Sequence, residues 1–294
     1  MLRIGDALVA AVEESVQPSF APQLLLPDSD PDSLARHMHW MAPVHFDLAE
    51  GRFRTSVRSF VVKTGRHTVL IDCCGGNHKH RPYFPRFHQR EHPWLERLAE
   101  AGVTPEQVDV VMCTHLHADH VGWNTMLRDG RWVPTFPHAR YIMHRAELDR
   151  WNPAHPLYRF YAHNEFTWED SILPVIEAGQ AVAVDDGYSL DDVLTLLPAP
   201  GHTLAHCAIH LASRDRRAIF SGDVMHVPLQ VYHPHWGTSL DDDPQLGIRS
   251  RLKLLESCAD TRTLLLPTHF VPENGCFIVR ERDGFGLRWN EGTR

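Results

Sequence analysis

A chain of 294 residues with 43% hydrophobic content can bury a large core, and a formal charge of -8 with histidines neutral argues against general nucleic-acid binding. No apolar run approaches the roughly 20 residues of a membrane span, and Asp6, Glu13 and Glu14 interrupt the apolar N-terminus too early for a secretion signal. The six cysteines form no Cys-x-x-Cys pair, which points to reduced thiols and a cytoplasmic location.

Taken in chain order, Arg3 to Val12 alternates like a first strand. Pro18 to Pro31 is a Pro/Asp-rich loop. Strands are expected at Val57 to Lys63 and His67 to Ile71, with Thr64-Gly65 as the turn between them. Asn77 to His92 mixes Lys79, Arg81, Arg86 and Arg90 with aromatic residues and reads as a solvated loop, the alternative being a lid. A helix is expected from Pro93 to Ala101, capped by Gly102. Val108 to Cys113 is β-branched and apolar, a short buried strand. Trp151 to Trp168 carries aromatic residues at helical spacing, expected to be core or a dimer contact, with a pocket wall as the alternative. Strands recur at Val182-Ala183, Val193 to Leu197, His206 to Leu211 and Ala218 to Phe220. A helix at Pro244 to Cys258 and a strand at Thr263 to Leu266 follow. No internal repeat is visible, and a single domain over residues 1–294 is expected.

The chemistry concentrates after the Val108 to Cys113 strand. Within six positions the chain places His115, His117, Asp119 and His120. Imidazole and carboxylate are ligands suited to zinc or a similar divalent ion. Four such side chains this close together strain around one ion and suit two. Asp119 sits at the start of a short expected helix, where a carboxylate is favoured. Downstream, Gly201-His202, Gly222-Asp223 and Thr268-His269 each follow a strand-like run, so more ligand-type side chains arrive at strand ends.

This order resembles the metallo-β-lactamase superfamily, whose hydrolytic members carry His-x-His-x-Asp-His, then His, Asp and His. The resemblance implies an α/β fold, a four-layer αβ/βα sandwich. It implies that His115, His117 and His202 hold one metal ion and Asp119, His120 and His269 a second, with Asp223 bridging. The implied cofactors are two divalent ions per chain, most simply Zn2+. The segments around Ser221 to Val231, Leu240 to Asp243 and Gly284 to Gly286 look like the branch containing methyl parathion hydrolase and related lactone and ester hydrolases. Asp223 separates the chain from the true β-lactamases of this fold, His117 from the oxygen-reducing di-iron branch, and the short tail after His269 from glyoxalase II. Two positions depart from the branch. His226 stands near the place where quorum-quenching lactonases often carry a tyrosine, and Trp123 replaces a second glycine, suggesting a more aromatic pocket wall.

The implied reaction is cleavage of a lactone or carboxylic ester by a hydroxide held at the metals. Asp119 would orient it and pass a proton, Asp223 would fix both ions, and His226 would meet the substrate or support a ligand. A phosphotriesterase-like activity and a metal-bound ligand sensor with weak turnover are the alternatives. The partner is a small-molecule substrate, with no nucleic acid or membrane, and a homodimer is compatible with the aromatic segment.

Overall fold

The computed structural model describes residues 1–291. The chain divides into two compact units, Met1–Ser15 with Val57–Tyr188, and Val16–Ser56 with Ser189 onward. The long strands Ala7–Pro18 and Arg52–Lys63 contribute residues to both.

The first unit is built on a sheet in the order Leu2–Ile4, Ala7–Pro18, Arg52–Lys63, Thr68–Ile71, Val110–Met112, Arg140–His144, Ala181–Val184. Its last four strands are mutually parallel. The central ones are short, rich in β-branched residues and buried from Val69 onward, as expected of parallel strands covered on both faces. The core joins Val57, Val61, Leu70, Val111 and Tyr141 to Trp94 and Leu98 of the helix Trp94–Glu100. That helix stops where Gly102 takes φ +76°.

The second unit carries a seven-stranded sheet in the order Ser189–Leu190, Leu194–Pro198, Cys207–Ser213, Arg216–Phe220, Thr263–Leu266, Cys276–Glu281, Gly284–Trp289. The parallel pair Arg216–Phe220 and Thr263–Leu266 is bridged in sequence by the helix Pro244–Cys258. Asp243 caps this helix by accepting from the Leu246 N–H at 2.9 Å, and Pro244 occupies its first turn. Leu254, Leu255 and Cys258 of the helix pack with Ile219, Leu265 and Ile278 of the sheet.

Several expectations are corrected. The expected strand Arg3 to Val12 is two antiparallel strands turning at Gly5-Asp6. The loop at Pro18 to Pro31 contains the short helix Pro22–Leu25, and a longer helix, Pro31–Met41, starts at its end under an Asp30 cap. Residues 77–92 are not a wholly solvated loop. Lys79 and Arg81 are fully buried, and Arg81 donates two parallel hydrogen bonds to the Asp170 carboxylate at 2.6 and 2.8 Å. Burial pushes the Lys79 ammonium down to about 7, against the pull of Asp170. Trp123 is not a pocket wall. It is buried, stacked on Trp94 at 5.2 Å, with its indole N–H on Glu14 at 2.8 Å. All six cysteines are buried free thiols, and no helix among the described residues is long and apolar enough to cross a membrane.

Candidate metal centre

In the first unit the ligand-type side chains leave the C-terminal end of Val110–Met112. Thr114 and His115 follow the strand, and Ala118–Val121 forms a one-turn helix with Asp119 in its first turn. The helix is held by backbone bonds from Cys73 N to His120 O, Gly122 N to Cys74 O and Trp123 N to Cys73 O. The approach at Gly122 is so close that an added Cβ would stand 2.0 Å from the backbone of Gly75.

The anchor of this loop is Asp72, at the end of the neighbouring parallel strand Thr68–Ile71. One carboxylate oxygen accepts from the Thr114 N–H at 2.8 Å. The other accepts from the Thr114 hydroxyl at 2.9 Å and from His120 Nδ1 at 2.9 Å. Since the Thr114 proton goes to Asp72, its oxygen accepts from His115 Nδ1, 3.0 Å away. Both imidazoles thus carry their proton on Nδ1, which leaves Nε2 unprotonated. His115 Nε2 lies 3.1 Å from His117 Nδ1, and His120 Nε2 lies 3.9 Å from Asp119 Oδ1. Asp119 also sits in the field of Arg86, whose guanidinium is pushed down to about 10 by burial.

In the second unit the strands Leu194–Pro198, Arg216–Phe220 and Thr263–Leu266 all run in one direction, because two antiparallel steps and then a parallel one separate them. Their C-terminal ends deliver His202, Asp223 and His269. Asp223 is the focus. Its Oδ2 lies 3.3 Å from His202 Nε2 and 3.2 Å from His226 Nε2, and its Oδ1 lies 3.1 Å from His269 Nε2. The far nitrogens are again anchored. His202 Nδ1 donates to Asp241 at 3.1 Å, and His269 Nδ1 donates to the Ser56 carbonyl at 2.7 Å. Burial pushes the Asp241 carboxyl up to about 6.

Other residues hold the loops. His206 donates Nδ1–H to the Ala199 carbonyl, and its Nε2 accepts the Asp223 N–H at 2.9 Å, so it is a backbone clamp. Buried Arg251 donates to the carbonyls of Val224, Pro234 and Trp236. Gln230 accepts the His226 N–H at 2.8 Å.

The donor set fits divalent metal. Two donors on a tetrahedral ion with bonds of about 2.0–2.1 Å stand roughly 3.3 Å apart. The 3.1–3.3 Å spacings around Asp223, and that between His115 and His117, match this. An outer oxygen on the second nitrogen is the usual support of a metal-binding imidazole.

The structure brings together His115, His117, Asp119 and His120 in one unit, and His202, Asp223, His226 and His269 in the other. The sequence reading missed Asp72, Asp241 and Ser56. Asp72 followed a strand, the signal used for the other ligands, but without a motif it was silent.

In residues 151–168 both the core and the pocket-wall readings hold in part: Trp151 is core, Tyr161 and Trp168 pack against that core, and the segment, irregular between the helix Arg145–Trp151 and Thr167, also walls a cavity of about 190 Å³. Two of its walls reach the His117 ring, Trp151 at 5.3 Å and Tyr161 at 5.7 Å between centroids.

Comparisons with known proteins bear on the fold. A hydrolase of the β-lactamase superfamily, AbOPH, superposes with a TM-score of 0.83 at 22% identity over 100% of this chain and 97% of its own. AidC, a dizinc quorum-quenching lactonase solved with a product, gives 0.76 at 21% identity over 100% and 97%. A probable metal-dependent hydrolase from Staphylococcus aureus gives 0.70 at 17% identity over 98% and 99%. Residues 52–269 match the metallo-β-lactamase superfamily. The chain belongs to the metallo-β-lactamase superfamily, a superfamily of metal-dependent hydrolases, and has its fold.

Proposed function

We infer that the protein is a dinuclear, zinc-type hydrolase of lactones or carboxylic esters, working in the cytoplasm. The observation that carries this is the anchoring of four imidazoles. His115, His120, His202 and His269 each commit Nδ1–H to an oxygen, leaving Nε2 as a ligand. On the superfamily's pattern His115, His117 and His202 hold one ion, Asp119, His120 and His269 the other, and Asp223 both. Such ions, when bound, make water acidic near neutral pH and polarise an ester carbonyl. Asp119, the most exposed carboxylate of the set at 16%, orients the attacking water and carries a proton to the leaving group. His226, whose Nε2 lies 3.2 Å from Asp223, donates to the oxygen that becomes negative in this reading. AidC's description as a dizinc lactonase supports the lactone side of the reading.

The test is a panel of lactones, aryl esters and phosphotriesters, run with metal analysis on the same preparations. Wild type should approach two equivalents of transition metal per chain and hydrolyse a lactone or ester fastest. Asp223→Ala should lose at least one equivalent and nearly all turnover with an unchanged circular dichroism spectrum. An Asp223→Ala protein that keeps two ions and most of its rate would refute the assignment, and a phosphotriester turned over fastest would move it to phosphorus.

A further inference from the structure

The cavity in residues 151–169 has a composition that the hydrolytic chemistry does not require. Its walls include Trp151, Tyr158, Phe160, Tyr161, Phe166 and Trp168. Besides the phenol hydroxyls of Tyr158 and Tyr161, its polar lining is Asn164 and two carboxylates, Glu165 and Glu169, with no cationic side chain among the lining residues. Asn164 is buried, and its Nδ2 donates to the Leu116 carbonyl at 3.1 Å, so the amide is fixed with its oxygen as the remaining end. Among the described residues neither that Oδ1 nor the buried Oε2 of Glu165 has a hydrogen-bond partner. Phe166 holds φ +66°, a strained conformation for an aromatic residue, at the same wall.

We propose that this cavity binds a protonated organic amine, an aryl- or alkylammonium group. Electron-rich ring faces and the carboxylates of Glu165 and Glu169 both favour a cation, and an ammonium N–H can donate to a carboxylate oxygen. The volume suits a ring-sized group, since a cavity of roughly 150 Å³ admits benzene. The nearby guanidinium of Arg150 is already committed. It lies 4.3 Å over Trp151 and donates to the Arg159 carbonyl at 2.6 Å, while the Glu147 carboxylate bonds the indole N–H of the same Trp151 at 2.9 Å. Because Trp151 and Tyr161 also flank His117, the amine is assigned as the non-reacting part of the substrate. That role rests on the hydrolase reading, whereas amine binding does not.

The test is calorimetric titration of the full chain with 2-phenylethylammonium and with the neutral 3-phenyl-1-propanol. The amine should bind saturably and about tenfold more tightly than the alcohol. The double variant Glu165→Gln, Glu169→Gln should remove that preference while still binding the alcohol, which reports that the cavity is intact. Equal affinity for the two probes, no saturable amine binding, or an unchanged preference in the double variant would overturn the proposal. Aryl esters with and without an ammonium group should then differ in kcat/KM in the same sense. Equal values would overturn the substrate role. Absence of all hydrolysis with amine binding retained would count against the hydrolase reading alone.

Discussion

His226 stands as near to Asp223 as His202 and His269 do, and its ring lies parallel to that of His269 at 5.5 Å. What separates it from them is its far nitrogen. Among the described residues neither ring nitrogen of His226 has a hydrogen-bond partner, whereas His202 and His269 are anchored by Asp241 and Ser56. An imidazole without outer support is a poorer ligand and a more mobile donor. His226→Ala should therefore lower kcat/KM by roughly 10–1000-fold while two metal equivalents remain. Rate and metal content measured on one preparation decide the matter. A metal loss matching the rate loss would make His226 a ligand, and unchanged kinetics would remove it from the chemistry.

Elements place these side chains by close backbone contact more than by side-chain packing. The one-turn helix after His117 is too short to be stable alone. It persists because it docks on residues 73–76, with Gly122 and Gly76 at the point of contact. Gly122→Ala would put a Cβ 2.0–2.6 Å from backbone atoms of Gly75 and Gly76, none of which can swing aside. We expect a loss of about 1–3 kcal/mol in chemical denaturation, together with weaker metal binding as His120 moves from Asp72. A stable variant with full metal affinity would show that the 73–76 loop yields freely. The strands act in the same way on the other ligand set. A shared direction at Leu194–Pro198, Arg216–Phe220 and Thr263–Leu266 is what makes three remote segments end together.

For the whole molecule, burial of neutral histidine sets an acid limit on stability. His45 is 2% exposed and stacked on Trp289 at 5.1 Å, and burial pushes its pKa down to about 4 from 6.5. A depressed histidine pKa means that the unfolded chain binds the extra proton first. The associated stability is present above about pH 6.5 and is lost as pH falls toward 4, to a total of about 3 kcal/mol. His45→Phe keeps the ring against Trp289 and removes the titration. Urea unfolding at matched metal content should show a shallower fall between pH 6.5 and 4 for the variant than for wild type. Equal slopes would show that His45 accepts the proton in place.

By itself the sequence determined the superfamily and most of the strands that bear the candidate ligand residues. Those signals are local: ligand types crowded into His115 to His120, and short apolar runs ending in His202, Asp223 and His269. The helix Pro244–Cys258 and the strand Thr263–Leu266 were legible with their bounds for the same reason. Only the tertiary structure decided what surrounds them. Asp72 supports His120 from 48 residues away, and Asp241 supports His202 from 39. Lys79 and Arg81 read as solvated until Asp170 was brought beside them, 89 residues from Arg81. Trp123 read as a pocket wall because its partners Trp94 and Glu14 lie far off in sequence. The aromatic segment after Trp151 had the spacing of a helix, yet it folds irregularly around a cavity. Local chemistry names the groups that bind and react, but the partner of a buried charge or ring is set by long-range packing, which no short window of sequence contains.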